Sequence, residues 1–372
     1  MARLIAGLAF VAATTLTAVV GSTSADASPV VSTISLHQAQ AYKPKAPPGA
    51  TDDYHCTLMN PHVTTNSYII SSQFFPGSAE DHHAILFLVP PSLASAAEVA
   101  NVNDQGWSCF GETPIPNTGL GQISNTPWLS AWAPGHGSDH LPKGTGVYLP
   151  AGSLVVMQVH YNLLVGDKPV KNSLVLHTVP ASTPLLPLKL DLMPAPPDIP
   201  CPAGVTGALC SRAASLANLG QRFGESAVGF VDAIETICGR NLTDPPAGDS
   251  TSCNWPVNTS GYIVRVGAHM HLTGVSFKMV LNPGTPEAKT ILNVPAYNFH
   301  YQRAYNLAVP VAVSPGDTVQ VNCTYNPTLA QELPILRKVP PHFITWGDGS
   351  SDEMCLGLMW TSASLPNSSY PV

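Results

Sequence analysis

Val155-Val156-Met157-Gln158-Val159-His160-Tyr161-Asn162 is the stretch that decides the fold. Val155, Met157, Val159 and Tyr161 form one apolar set, and Val156, Gln158, His160 and Asn162 alternate with it as a more polar set. A period of two belongs to a pleated strand, whose successive side chains leave by opposite faces. The run extends from Leu154 to Leu164. Similar short runs, bounded by Gly, Pro and Asn, occupy Tyr68 to Phe75, His83 to Val89 and Ser173 to Val179. After Asn258 the pattern returns in Gly261 to Leu281, Thr290 to Phe299, Asn306 to Val313, Thr318 to Tyr325 and Cys355 to Ser362. With 37 Pro and 29 Gly against 10% charged residues, the composition fits short strands joined by turns better than salt-bridged helices. The expected fold is all-β, with two consecutive antiparallel β-sandwich (jelly-roll-like) domains and a small helical insertion.

The ends and the middle set the boundaries. Arg3 precedes an apolar run from Leu4 to Val20, and Ala25-Asp26-Ala27 precedes Ser28, so residues 1–27 read as an export signal. Residues 28–50, rich in Ser, Ala, Pro and Lys, are expected to be a flexible lead-in. About 345 residues then remain, more than one hydrophobic core usually serves. We expect an N-terminal domain over 51–185, a linker and insertion over 186–255, and a C-terminal domain over 256–372. Thr183 to Pro202 is Pro-rich and extended in character. Leu216, Leu219, Phe223, Val231, Ile234 and Ile237 recur at helical spacing, interrupted by Gly220, Gly224 and Gly229, which predicts one or two short helices.

The net charge of -7 survives removal of the signal, which takes Arg3 and Asp26 together, and no basic patch is present, so a nucleic-acid partner is excluded. No segment after the signal has the roughly 18 uninterrupted apolar residues that a membrane helix needs. The expectation is a monomer that is secreted, periplasmic or at the cell surface. All eight cysteines lie beyond the signal and form an even set, which predicts four disulfides without fixing their connectivity.

Four places carry candidate chemistry. His269-Met270-His271 lies in the run Tyr262 to Leu272, which alternates like a strand. There, residues two apart share a face and two imidazoles can grip one ion. Taken alone, the pair could equally be surface histidines. His82 and His83 are neighbours, so joint ligation needs a bend or bulge where the strand begins, and one buried plus one solvent histidine is the plainer reading. His160 sits on the polar side of its strand. Met354, in Ser351-Asp352-Glu353-Met354-Cys355, offers a soft thioether, a donor suited to Cu(I), although most methionines simply pack.

In this order, His82-His83, Val159-His160-Tyr161-Asn162, His269-Met270-His271-Leu272-Thr273-Gly274 and Asp352-Glu353-Met354-Cys355 resemble the copper type II ascorbate-dependent monooxygenases. These are the family of peptidylglycine α-hydroxylating and dopamine β-monooxygenases. Asp53-Tyr54-His55-Cys56, Gly106-Trp107-Ser108-Cys109 and Leu141-Pro142-Lys143-Gly144 extend the likeness over Asp52 to Trp360. The resemblance implies two copper ions per chain, one electron-transfer ion held by His82, His83 and His160, and one oxygen-binding ion held by His269, His271 and Met354. It implies ascorbate as reductant, and hydroxylation of a C–H bond by dioxygen at the catalytic trio His269, His271 and Met354. The two cages are expected to face each other across an open gap. The likeness also suggests disulfides Cys56–Cys109 and Cys323–Cys355. The family usually has a later cysteine that would pair with the one at Cys253, and none follows Cys355 here, so the resemblance with this departure implies Cys238–Cys253 and Cys201–Cys210.

Two departures bear on substrate. Peptide-amidating members carry an arginine where this chain has Gly267, and a tyrosine where it has Leu358. Arg265 is only a partial substitute. The resemblance with these changes implies an unknown small, apolar or neutral substrate. The alternative is a secreted non-catalytic copper-binding or metal-handling protein; a structural β-sandwich with incidental histidines is a further rival. His37, His62, His177, His300 and His342 read as scattered polar or packing residues, and His136 with His140 as a solvated loop or an accessory metal site.

Overall fold

The computed structural model describes residues 29–110, 115 and 127–367. The expected signal lies outside the described residues. The chain forms two sandwiches of antiparallel strands, as the alternation predicted. In the first, Ser32–His37, Ser173–Pro180, Ser67–Phe75, Thr145–Leu149 and Leu186–Pro187 are successive neighbours in one sheet. Trp107–Ser108, Asp52–Met59, Leu154–Asn162, Asp81–Val89 and Trp128–Trp132 make the other. In the second sandwich, Lys189–Pro194, Leu356–Ser362, Gly261–His269 and Ala304–Val313 pack against Ser250–Pro256, Thr318–Tyr325, Gly274–Leu281 and Lys289–Val294.

The alternation of the deciding stretch has a direct consequence. Val155, Met157, Val159 and Tyr161 all enter the core between the first two sheets, beside Ile69, Leu86 and Leu174. Val156 turns the other way and joins Tyr54, Cys56, Phe87 and Cys109 under the segment that follows Val89. Every residue of Leu154–Asn162 is nevertheless buried. The polar face is covered rather than solvated, and His160 therefore lies in the interior.

Three expectations about irregular chain are corrected. Ser32–His37, inside the expected lead-in, is a strand that pairs antiparallel with Ser173–Pro180. The Pro-rich stretch is mostly strand: Leu186–Pro187 pairs parallel with Thr145 and Gly146 of the first sandwich, and Lys189–Pro194 pairs with Leu356–Thr361 of the second. Proline is tolerated there because both strands lie at sheet edges, where a missing N–H costs no ladder bond. Gly261 to Leu281 is not continuous either, since a turn separates Gly261–His269 from Gly274–Leu281.

The insertion contains two helices, Arg212–Phe223 and Glu225–Ile237. Ser211 caps the first through its side-chain oxygen, which accepts from the Ala214 amide. Gly224 separates them at φ 90°, a conformation that side chains other than glycine rarely adopt. Gly220 and Gly229 stay within the helices. The four disulfides are Cys56–Cys109, Cys201–Cys210, Cys238–Cys253 and Cys323–Cys355, in agreement with the expected pairing. No described helix is long and apolar enough to cross a membrane.

Candidate metal centre

The first cluster is built by a bulge. In the antiparallel pairing of Asp81–Val89 with Leu154–Asn162, Asp81 is opposite Tyr161 while His83 is opposite His160. His82 is therefore the extra residue, and the shift supplies the irregularity that two adjacent histidines need to work together. One ring nitrogen from each of His82, His83 and His160 lies within 4.8 Å of the others, and the Nδ1 atoms of His82 and His160 are 2.6 Å apart. His160 is held from behind: its Nε2 donates to Asp52 Oδ1 at 2.9 Å, which leaves Nδ1 unprotonated and facing His82 Nδ1. Tyr54 stacks on the same ring at 4.1 Å. Asp52 is fully buried, which raises its pKa, but hydrogen bonds from His160, Ser350 and Thr51 outweigh burial and hold it below the usual range.

The second cluster is not built by the pleat that the alternation suggested. The strand ends at His269, and His271 lies in the turn that follows. The two rings still approach, with centroids 5.2 Å apart at 85°. Glu353 makes this possible: its carboxylate accepts from the amides of His271 (2.8 Å), Thr273 (2.7 Å) and Met354 (3.2 Å), and from the Thr273 hydroxyl (2.7 Å). One buried carboxylate thus ties the turn carrying His271 to the segment carrying Met354. His269 Nδ1 donates to Gln302 Oε1 at 2.7 Å and His271 Nδ1 to the Asp352 carbonyl at 3.1 Å. Both Nε2 atoms are thereby left without a proton. No local pattern marks Asp52 or Gln302, whereas Asp352 and Glu353 sit in the motif that carries Met354.

The five histidines converge at the interface between the sandwiches, and Met354 lines the same cavity as His83 and His269. The open gap between two cages is not found. Ring centroids of His83 and His269 are 5.6 Å apart, and those of His82 and His271 5.7 Å, because the two sandwiches close on each other. Tyr54 donates to the Asp348 carbonyl and Ser350 to Asp52 across this contact. Burial, reinforced by neighbouring histidines, pushes the pKa of His82, His83 and His271 well below 6.5, and burial brings His269 to about 4. Neutral imidazoles are the form that binds metal. His82 Nε2, His83 Nδ1, His269 Nε2 and His271 Nε2 are buried with no protein partner. An unpartnered buried polar atom costs about 1–3 kcal/mol, so four together call for a ligand. Uncharged nitrogen donors beside a thioether suit copper.

Other histidines stay apart. The His136 ring lies 3.7 Å from Asp139, and among the described residues His82, His83 and His160 form the one His/Cys/Asp/Glu group arranged for a metal. His55 stacks on Tyr42 and bonds the Gln105 carbonyl.

A cavity of about 270 Å³ opens beside the clusters, touched by His83, His269 and Met354 and walled by Trp128, Trp132, Trp360 and Leu358 among others. The two departures noted above meet here. Gly267 pairs with Leu358 across adjacent strands, and a side chain at Gly267 would approach the Leu358 side chain to 3.2 Å. Arg265 also borders the cavity, but its guanidinium is engaged by Asp139 at 2.5 Å and the His140 carbonyl at 3.0 Å.

Comparison with known proteins bears on part of the chain. Residues 249–361 match the family model described as the copper type II ascorbate-dependent monooxygenase, C-terminal domain. No curated protein matches the sequence. Among solved structures, a fucolectin from striped bass serum aligns at 7% identity and a TM-score of 0.18, over 82% of this chain and 85% of that one. An allantoicase aligns at 9% identity and 0.20, over 91% of each. Those scores are too low to mark a shared fold.

Proposed function

We propose that this chain, whose residues 249–361 belong to the C-terminal domain family of the copper type II ascorbate-dependent monooxygenases, is a secreted copper-dependent monooxygenase. It would hydroxylate a C–H bond of a small apolar substrate with dioxygen and a reductant such as ascorbate. His82, His83 and His160 would hold one copper ion, and His269, His271 and Met354 the second. The observation that carries this reading is the set of four buried, partnerless ring nitrogens on four of those histidines. Copper, when bound, supplies one-electron redox chemistry with dioxygen.

The chain's own residues do the rest. Asp52, Gln302 and the Asp352 carbonyl fix the rings of His160, His269 and His271, so the nitrogens facing the ions carry no proton. The tryptophan-walled cavity offers a mostly apolar surface next to His269 and Met354. Because Asp139 neutralises Arg265, that arginine is not free to clamp a carboxylate, which favours a neutral substrate over a glycine-extended peptide. Four disulfides suit an oxidising compartment.

The test is copper quantification with X-ray absorption on the reduced protein. Two ions per chain are expected, with a Cu–S shell that disappears in Met354→Ala. Retention of that shell in the variant would remove Met354 from the site. Oxygen uptake that depends on ascorbate supports the enzyme; two bound coppers without uptake would make the protein a copper carrier instead.

A further inference from the structure

Resting on that reading of the second site, we infer that Arg222, delivered by the helical insertion, is a positioning residue for Met354. The insertion would therefore be part of the metal-site scaffold rather than surface decoration. Arg222 lies in the last turn of Arg212–Phe223 and is buried. Its guanidinium grips the buried Asp352 through two parallel bonds, Nη1 to Oδ2 at 2.9 Å and Nη2 to Oδ1 at 2.7 Å. Asn218, one turn earlier, accepts from Nε at 2.9 Å and pre-orients the fork.

Asp352 is the residue through which this grip reaches the site. Its backbone carbonyl accepts from His271 Nδ1, and its Oδ2 also receives the Gly349 amide at 3.1 Å. Met354 follows two residues later, and its side chain packs in a cluster with Leu219 and Phe223 of the same helix and with Trp346. The helix thus holds the loop twice, by charge at Asp352 and by apolar contact at Met354. The loop has little freedom to settle otherwise: a Cβ at Gly347 would fall 2.6 Å from Asp352 Oδ2, and one at Gly349 would fall 3.0 Å from Arg222 Nη1. A planar fork that fixes both carboxylate oxygens sets the direction of the following backbone as a point charge cannot.

A merely structural buried ion pair would stabilise the insertion without governing sulfur ligation, and Arg212 supplies the control. It begins the same helix but pairs with Asp198 at 2.5 Å and with Glu235 at 3.3 Å. The experiment compares full-length, copper-loaded wild type, Arg222→Gln, Arg222→Lys and Arg212→Gln by X-ray absorption in the reduced state, with Cu(I) affinity by chelator competition. In Arg222→Gln the Cu–S shell should fall to half or less while the His82, His83 and His160 site stays filled, and second-site affinity should weaken about 10–100-fold. Arg222→Lys should fall between, and Arg212→Gln should lose thermal stability but keep the shell. If Arg222→Gln does not fold, Asp352→Asn, which keeps the shape and weakens the fork, should show the same loss of sulfur. An unchanged shell in the Arg222 variants and in Asp352→Asn overturns the proposal, as does an equal loss in Arg212→Gln. Absence of the shell in wild type would instead overturn the ligand role of Met354, a distinguishable result.

Discussion

Asp52→Asn isolates one residue that the first cluster depends on. Asp52 Oδ1 accepts from His160 Nε2 at 2.9 Å and from Ser350 Oγ at 2.6 Å, while Oδ2 accepts from Thr51 Oγ1 at 2.7 Å. Asparagine keeps the shape and an oxygen for His160 and Ser350, and its NH2 can donate to Thr51 Oγ1 in place of the third bond, but it gives up the charge that strengthens the two bonds at Oδ1. A bond to a charged group contributes about 1.5–3 kcal/mol and a neutral one about 1, so weakening two bonds should cost about 2 kcal/mol. That corresponds to a fall of about 4–8 °C in Tm for a domain of this size. Loss of the carboxylate behind His160 should also weaken copper at the first site about 10–100-fold.

The pH dependence has a definite sign. Asp52 titrates below its unfolded value, so the stability it contributes is present above the unfolded carboxylate range near pH 4 and is lost as pH falls through the folded value. The stability curves of wild type and Asp52→Asn should therefore converge below about pH 4. Chelator competition should resolve two dissociation constants, with one shifted. If both constants shift alike, or neither does, the hydrogen bond to His160 is not what organises the first site.

Removing Cys323 and Cys355 together opens a link that spans 32 residues, with an expected cost of about 3–4 kcal/mol in a urea titration. Because Cys355 adjoins Met354, the same variant should also weaken the Cu–S shell; an intact shell would show that the bridge does not steady the ligand. Glu235 is fully buried beside Asp198, and burial followed by that neighbour raises its pKa well above the usual range. Its stabilising contribution is present below pH about 4 and is lost as pH rises through the folded value, so Glu235→Gln should gain on wild type between pH 5 and 9. Parallel melting curves across that range would show that Glu235 does not hold its proton.

Much of the centre was legible because its ligands are chemically unusual residues in short motifs. Adjacent histidines, a His-X-His pair and a methionine among polar residues mark the six positions before any fold is known. The reason His271 faces His269 was not legible. Alternation suggested a shared strand face, whereas the strand stops and Glu353 orients the turn from 82 residues away. The lead-in was misread for a related reason: Ser32–His37 has little patterning of its own and becomes a strand by completing a sheet edge.

Sequence alone determined the β class, the two-sandwich division and which residues stand out as candidate ligands, because each follows from local periodicity or from a scarce side-chain chemistry, whereas the expected disulfide pairing came from the family resemblance. Tertiary structure decided that the polar face of Leu154–Asn162 is buried, that the two clusters lie with rings under 7 Å apart, and that the insertion grips the Met354 loop. Those outcomes depend on how two separately folded sandwiches close over each other, and no periodicity within either one encodes the contact between them.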